Sequence, residues 1–287
     1  MFQWTVFCIN IIIVLLSTDV TKAQDGHWSF DDVENWPREC QTGKFQSPID
    51  IGTGGMFKKY YPRFRSQNFY TYQSATIGNN GHTVNITFSN TITVYGGGLP
   101  APKYQLDNIH FHWRSEHTVN HYRYPLEIHL VLYDAQYPNF QEALANKGVA
   151  VLGVLVEECS DYFNTWYNAW DVIKNQMSEI EKVGTITQLN QRILISNFLP
   201  YNTRRFVRYS GSLTTPDCNE GIIWTVFTNT ICIPSHQLNA LKQIRGEDGK
   251  KLDSTYRPVQ PLNGRIVTLS KNIFNFDAQT NWFKFIF

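Results

Sequence analysis

The sequence predicts a mainly β fold, one domain of strands with a few short peripheral helices. Three observations carry this. Several runs alternate apolar and polar residues with period two, as half-buried strands require. Gly and Asn clusters punctuate those runs as turns. Across 287 residues, 42% of them hydrophobic, there is no internal repeat and no low-complexity linker to separate two cores.

In chain order, residues 7–16 (Phe-Cys-Ile-Asn-Ile-Ile-Ile-Val-Leu-Leu) are apolar but too short to span a bilayer comfortably. Thr21-Lys-Ala23 follows, small at the two positions a signal peptidase reads. Residues 1–23 therefore read as a secretory signal peptide, although no Lys or Arg precedes the apolar run, and residues 24–287 as the secreted domain. Thr83–Phe88 and Thr91–Tyr95 alternate as strands, with turns at Gly78-Asn-Asn-Gly81 and Gly96-Gly-Gly98. Asn85-Ile-Thr87 is the one glycosylation sequon, expected to carry no glycan. Val149–Val156 is a continuous apolar run, typical of a buried central strand. Tyr162–Ile180 has helical spacing and is expected as a surface helix. Gly221–Ile231 is another buried strand, and Pro234–Ile244 a short helix. The aromatic end, residues 275–287, has no long apolar tail, which argues against a lipid anchor or stalk.

Charge and cysteine content narrow the partners. A net charge of +1 makes no electrostatic case for a nucleic-acid or acidic-membrane partner. Five cysteines less Cys8 of the leader leave an even number, Cys40, Cys159, Cys218 and Cys232, in an oxidising route.

The stretch from Asn108 to Val131 carries the chemistry. On a strand, His110 and His112 leave one face while Ile109, Phe111 and Trp113 leave the other. Glu127–Tyr133 brings His129 at hairpin distance. If the two runs pair antiparallel, three imidazoles converge. Three neutral nitrogens with one open position make a catalytic zinc site, whereas structural sites use four ligands and usually cysteine. Glu127 shares the face of His129 and can orient its ring. Glu116 is an acid in an apolar, aromatic neighbourhood.

His110-Phe-His-Trp113, Ser115-Glu-His-Thr118, Glu127-Ile-His-Leu-Val131 and Gly211-Ser-Leu-Thr-Thr-Pro216 resemble the α-class carbonic anhydrases. So do Gln46-Ser-Pro-Ile-Asp-Ile51, Asn79-Asn-Gly-His-Thr83, Val149-Ala-Val-Leu-Gly153 and Arg257-Pro-Val-Gln-Pro-Leu262, all in the family's order from Trp28 to about residue 270. The resemblance implies a large twisted mixed sheet, mostly antiparallel. It implies zinc-dependent, reversible hydration of carbon dioxide to bicarbonate through a zinc-bound hydroxide, and inhibition by sulfonamides. One zinc per chain would sit on His110, His112 and His129, with Glu127 and Asn108 orienting two of the rings. The family often has the longer Gln at Asn108, which leaves that hydrogen bond in question.

By the same resemblance, Thr214 with Glu116 behind it aims the hydroxide, and His82 carries the proton away. Val131, Val151, Leu213 and Trp224 form an apolar wall near Thr215, facing Asn80, His82, Asn85 and Asn108 on the polar side. His117 is a buried structural imidazole. Cys40 and Cys218 are bridged in secreted members. Cys159 and Cys232 are absent from most members. They lie eight residues beyond Val151 and Trp224, which the family places on parallel neighbours, so a second bridge is expected. Two departures stand out: only Arg114 separates Trp113 from Ser115, and Phe30 replaces a common tyrosine. No ligand position is lost, which favours an enzyme over a binding or matrix protein that has kept the fold.

Overall fold

The computed structural model describes residues 28–52, 54, 56–160 and 168–271. Residues 1–27 (the expected leader among them), the first six residues of the expected Tyr162–Ile180 helix and residues 272–287 lie outside the described residues.

Twelve strands form one sheet. From one edge the order is Ile186–Gln188, Ala75–Asn79, Val84–Phe88, Tyr104–Trp113 and Leu126–Asp134. It continues through Val149–Cys159, Glu220–Pro234, Phe206–Ser212 and Thr268–Ser270 to Phe57–Lys59. Phe64–Gln67 and Thr93–Gly96 pair to one side. Two pairs in this sheet are parallel, Val149–Cys159 with Glu220–Pro234 and Thr268–Ser270 with Phe57–Lys59. The rest are antiparallel, so the mixed, mainly β architecture is as expected. Among the described residues, no helix is long and apolar enough to cross a membrane.

Period-two alternation sorts the central strands onto two cores. Ile109, Phe111, Trp113, Leu126, Ile128, Leu130, Leu152 and Val154 face one apolar cluster. Val131, Val151, Leu155, Val207, Tyr209, Trp224 and Val226 face the other. Slipping the His110 strand by one residue would drive two imidazoles into the first core and expel Ile109, Phe111 and Trp113. Each of those three gains about 2–3 kcal/mol from burial, so the apolar face fixes where the histidines point.

The segment expected as a surface helix is Asn168–Gln176. It lies on the sheet with one face buried and Asn175 exposed. Its Ala169, Trp170, Val172 and Ile173 belong to the first core, with Trp170 5.5 Å from Phe111 and 5.4 Å from Phe198. The short helix expected over Pro234–Ile244 is Ser235–Leu241.

Cys40 is bonded to Cys218, and Cys159 to Cys232. The second bridge does not join residues at equal offsets in register. Val151 does oppose Trp224, but a bulge between Val154 and Val156 places Glu157 opposite Cys232 and Cys159 opposite Pro234. The extra residues on the Trp224 strand make the bridge diagonal, with the Cα atoms 5.7 Å apart. We expect the denatured, unreduced mature chain to titrate no free thiol, and two thiols would refute the second bridge. Replacing Cys159 and Cys232 with Ser should cost about 2–4 kcal/mol in equilibrium unfolding, since the bridge closes a loop over a separation of 73 residues.

Candidate metal centre

The antiparallel pairing of Tyr104–Trp113 with Leu126–Asp134 sets His129 directly opposite His110, and Glu127 opposite His112. One ring nitrogen from each of His110, His112 and His129 lies within 4.8 Å of the other two. The outer nitrogens are already committed. His110 Nδ1 donates to Asn108 Oδ1 at 2.8 Å, His129 Nε2 to Glu127 Oε1 at 2.9 Å, and His112 Nδ1 to the Thr255 carbonyl. Asn108 is long enough after all, because residues two apart on a strand share a face. With each outer nitrogen donating, the three inner nitrogens present lone pairs. Burial pushes His110 well below the usual imidazole range, helped by the neighbouring His112 and His129. Burial also lowers His112, against the opposing pull of Glu116. Both are therefore held neutral.

Behind the cluster runs a buried hydrogen-bonded chain. Burial alone would raise the Glu127 carboxyl, but His117 and His129 outweigh it and hold the group well below the usual carboxylate range. Glu127 accepts from His117 Nδ1 at 2.7 Å and from the His117 backbone N–H at 2.8 Å. His117 Nε2 meets the Tyr209 hydroxyl at 2.7 Å, and Tyr209 meets Ser47 Oγ at 2.9 Å. Burial raises Tyr209 well above its ordinary pKa, which keeps that hydroxyl a donor. Gly153, opposite His129, leaves room for this chain: a Cβ there would lie 3.0 Å from Glu127 Oε1.

Two atoms in the cluster stand out. His112 Nε2 and Glu116 Oε2 are buried and have no hydrogen-bond partner. Glu116 Oε2 lies 3.7 Å from His112 Nε2 and 3.9 Å from His129 Nδ1. Leaving such a group unsatisfied costs about 1–3 kcal/mol, more for a charge. Lone pairs and a carboxylate aimed at one point are what a cation satisfies, and three imidazoles without thiolate fit zinc. The other Glu116 oxygen accepts from the Arg257 backbone N–H at 2.9 Å. The short hairpin is closed by Arg114 N–H to the Pro125 carbonyl at 2.7 Å and Ser115 N–H to the Tyr124 carbonyl at 2.8 Å, so Glu116 stays buried. It does not hydrogen-bond Thr214, because Oε2 points to the imidazoles instead. Thr214 is buried nearby in sequence to the half-buried Leu213 and Thr215.

Val131, Val151 and Trp224 are buried and adjacent in register across three strands. The Trp224 ring meets His129 edge-on at 4.8 Å. On the other side, Asn85 opposes His110, and its Oδ1 is buried without a partner. His82 is half-buried in a turn and stacks on Trp28, centroids 3.6 Å apart. Asn79 braces that turn, donating to the Glu181 and Arg245 carbonyls and accepting from Gly81 N–H. Asn80 is exposed and closes the same turn, its Oδ1 accepting from the backbone N–H of His82 and Thr83. Phe30 lies 6.0 Å from His112, ring edge to ring face.

Residues 24–271 match the family model described as eukaryotic-type carbonic anhydrase. The chain belongs to that family. Putative carbonic anhydrase 5 of Caenorhabditis elegans is 32% identical over 273 residues, covering 89% of this chain and 85% of that protein. Carbonic anhydrase 6 of Canis lupus familiaris is 34% identical over 287 residues, covering 92% and 86%. Putative carbonic anhydrase 3 of Caenorhabditis elegans is 34% identical over 254 residues, covering 84% and 96%. Family membership makes this chain an enzyme of the carbonic anhydrase kind, and supports carbon dioxide hydration as its activity.

Some residues of this carbonic anhydrase site were not legible in its sequence. Thr255 contributes a carbonyl oxygen, which no side-chain pattern announces. Tyr209 and Ser47 sit on separate strands and loops and join the chain behind His129 only in the fold. Trp28 marks only the start of the matching region in the sequence, yet it is the ring on which His82 rests.

Proposed function

We propose that this chain catalyses the zinc-dependent, reversible hydration of carbon dioxide to bicarbonate and a proton, outside the cell, after removal of residues 1–23. The observation that carries this reading is the set of three imidazoles whose outer nitrogens are hydrogen-bonded while their inner nitrogens converge. His110, His112 and His129 would hold one zinc, and Glu127 and Asn108 would fix two of the rings. When bound, such an ion supplies Lewis acidity that brings the pKa of water to about 7, a value known for carbonic anhydrases. The Thr214 hydroxyl accepts a hydrogen bond from the attacking oxygen and aims its lone pair; for Glu116 to hold the Thr214 proton, its Oε2 must turn from the imidazoles to that hydroxyl. Val131, Val151, Leu213 and Trp224 offer linear, apolar carbon dioxide a dry wall beside Thr215. Two disulfides fit an oxidising compartment. The test is zinc content of the purified chain, followed by a hydration assay with and without a sulfonamide. Absence of zinc, or activity indifferent to its removal, would overturn the reading.

His82 takes the proton to bulk buffer. Imidazole is the side chain suited to carrying protons near neutral pH, and His82 is half-buried and stacked on Trp28. We expect His82→Ala to lower the maximal hydration rate roughly tenfold or more, leaving the first chemical step nearly untouched. Imidazole in the buffer should restore much of the loss. An unchanged rate in dilute, non-transferring buffer would show that another group carries the proton.

A further inference from the structure

The net charge of +1 averages over a marked segregation. Residues 51–106, 182–216 and 254–271 hold 13 of the 25 Lys and Arg and none of the 24 Asp and Glu. The fold brings parts of all three stretches to one edge of the large sheet. Phe57–Lys59 is the end strand and pairs with Thr268–Ser270, which pairs in turn with Val207 and Arg208. Phe64 packs on Phe206 at 5.4 Å, and the buried Arg208 guanidinium donates to the carbonyls of Gly97 and Gly98.

Six cations on these stretches, Lys58 and Lys59 on the end strand, Lys271 just after its neighbour, Arg204 before Phe206, and Arg63 and Arg65 flanking Phe64, are all exposed. None makes an ion pair among the described residues. Between them stand Phe57, Ile266 and Tyr60, which are 67%, 66% and 56% exposed. Lys271 Nζ lies 5.1 Å above the Tyr60 ring.

We propose that this edge docks the protein on an anionic phospholipid bilayer. Three features select that partner. Lys58 and Lys59 are consecutive on a strand, so they leave opposite faces and wrap charge around the rim, which a flat surface meets as a whole. Exposed Phe57 and Ile266 gain nothing from a polar sulfated chain, but they insert at the boundary between headgroups and acyl chains. The edge is five strands from the one carrying His129, roughly 24 Å away, so the imidazole site stays clear of the bound surface.

The purified mature chain should co-sediment with phosphatidylcholine vesicles containing phosphatidylserine and not with phosphatidylcholine alone. Salt near 1 M, where the Debye length is about 3 Å, should release it. Lys58→Glu, Lys59→Glu and Lys271→Glu combined should cut the bound fraction roughly tenfold or more. Phe57→Ser with Ile266→Ser should weaken binding severalfold at low salt while keeping the charge dependence. Both variants should hydrate carbon dioxide at the parent rate, which shows that they are folded. No serine-lipid-dependent sedimentation, or equal sedimentation by the charge-reversed variant, overturns the proposal. Retention on a heparin column by a chain that ignores the vesicles also overturns it, in favour of a sulfated polysaccharide.

Discussion

Replacing His129 with Ala is expected to remove most of the metal and essentially all hydration activity. His129 is the residue on which the site converges: its ring sits opposite His110, edge-on to Trp224, and bonded to Glu127. Ala leaves two neutral donors and strands the Glu127 carboxylate, which then keeps only its contacts with His117. Glu127→Gln should cost less, about 10–100-fold in metal affinity, because it alters only the orientation and basicity of the ring. Metal content by elemental analysis, beside the hydration rate, separates the two variants. Full activity in metal-depleted His129→Ala would sink the assignment.

Acid should act on the same residues. Burial lowers His110 and His112, so the folded chain resists protonation that the unfolded chain accepts. A group depressed in this way contributes stability above its unfolded pKa of about 6.5 and loses it as pH falls toward the folded value. Metal should therefore stay bound somewhat below pH 6.5, while the stability of the metal-stripped chain begins to fall there. Retained metal and unfolding midpoint, both followed against pH, check the two halves of this statement.

The central strands were legible because their alternation is set by a thick apolar face. Ile109, Phe111 and Trp113 fix the direction of His110 and His112 without help from distant contacts. The convergence with His129 was also legible, since hairpin pairing is local. What lay hidden was non-local or made of backbone. The Thr255 carbonyl reaches His112 across 143 residues of sequence. The bulge after Val154 sets the register of the second disulfide, and no side-chain pattern announces it. The basic edge was masked for a related reason: its three acid-free stretches are far apart in sequence, and a net charge has no spatial information.

Thr214→Ala is expected to leave the metal in place while lowering kcat/KM by roughly 10²-fold, the scale of misaligning a reacting group by about an ångström. The hydroxyl acts on the orientation of the attacking oxygen and not on the imidazole ligands, so metal content should not move. Its partner is the sharper question, because Glu116 Oε2 faces His112 and His129 with no hydrogen bond to Thr214. If Glu116 works by holding the Thr214 proton, the carboxylate must turn to that hydroxyl in the working enzyme. The two residues would then act as a unit, and their losses would not add. Glu116→Gln keeps the shape and an oxygen for the Arg257 N–H, so it tests charge with little change in packing. Glu116→Gln combined with Thr214→Ala should be no slower than Thr214→Ala alone. Additive losses in that double variant, with metal content unchanged, would mean that Glu116 acts on the imidazole cluster directly and that Thr214 is aimed by something else.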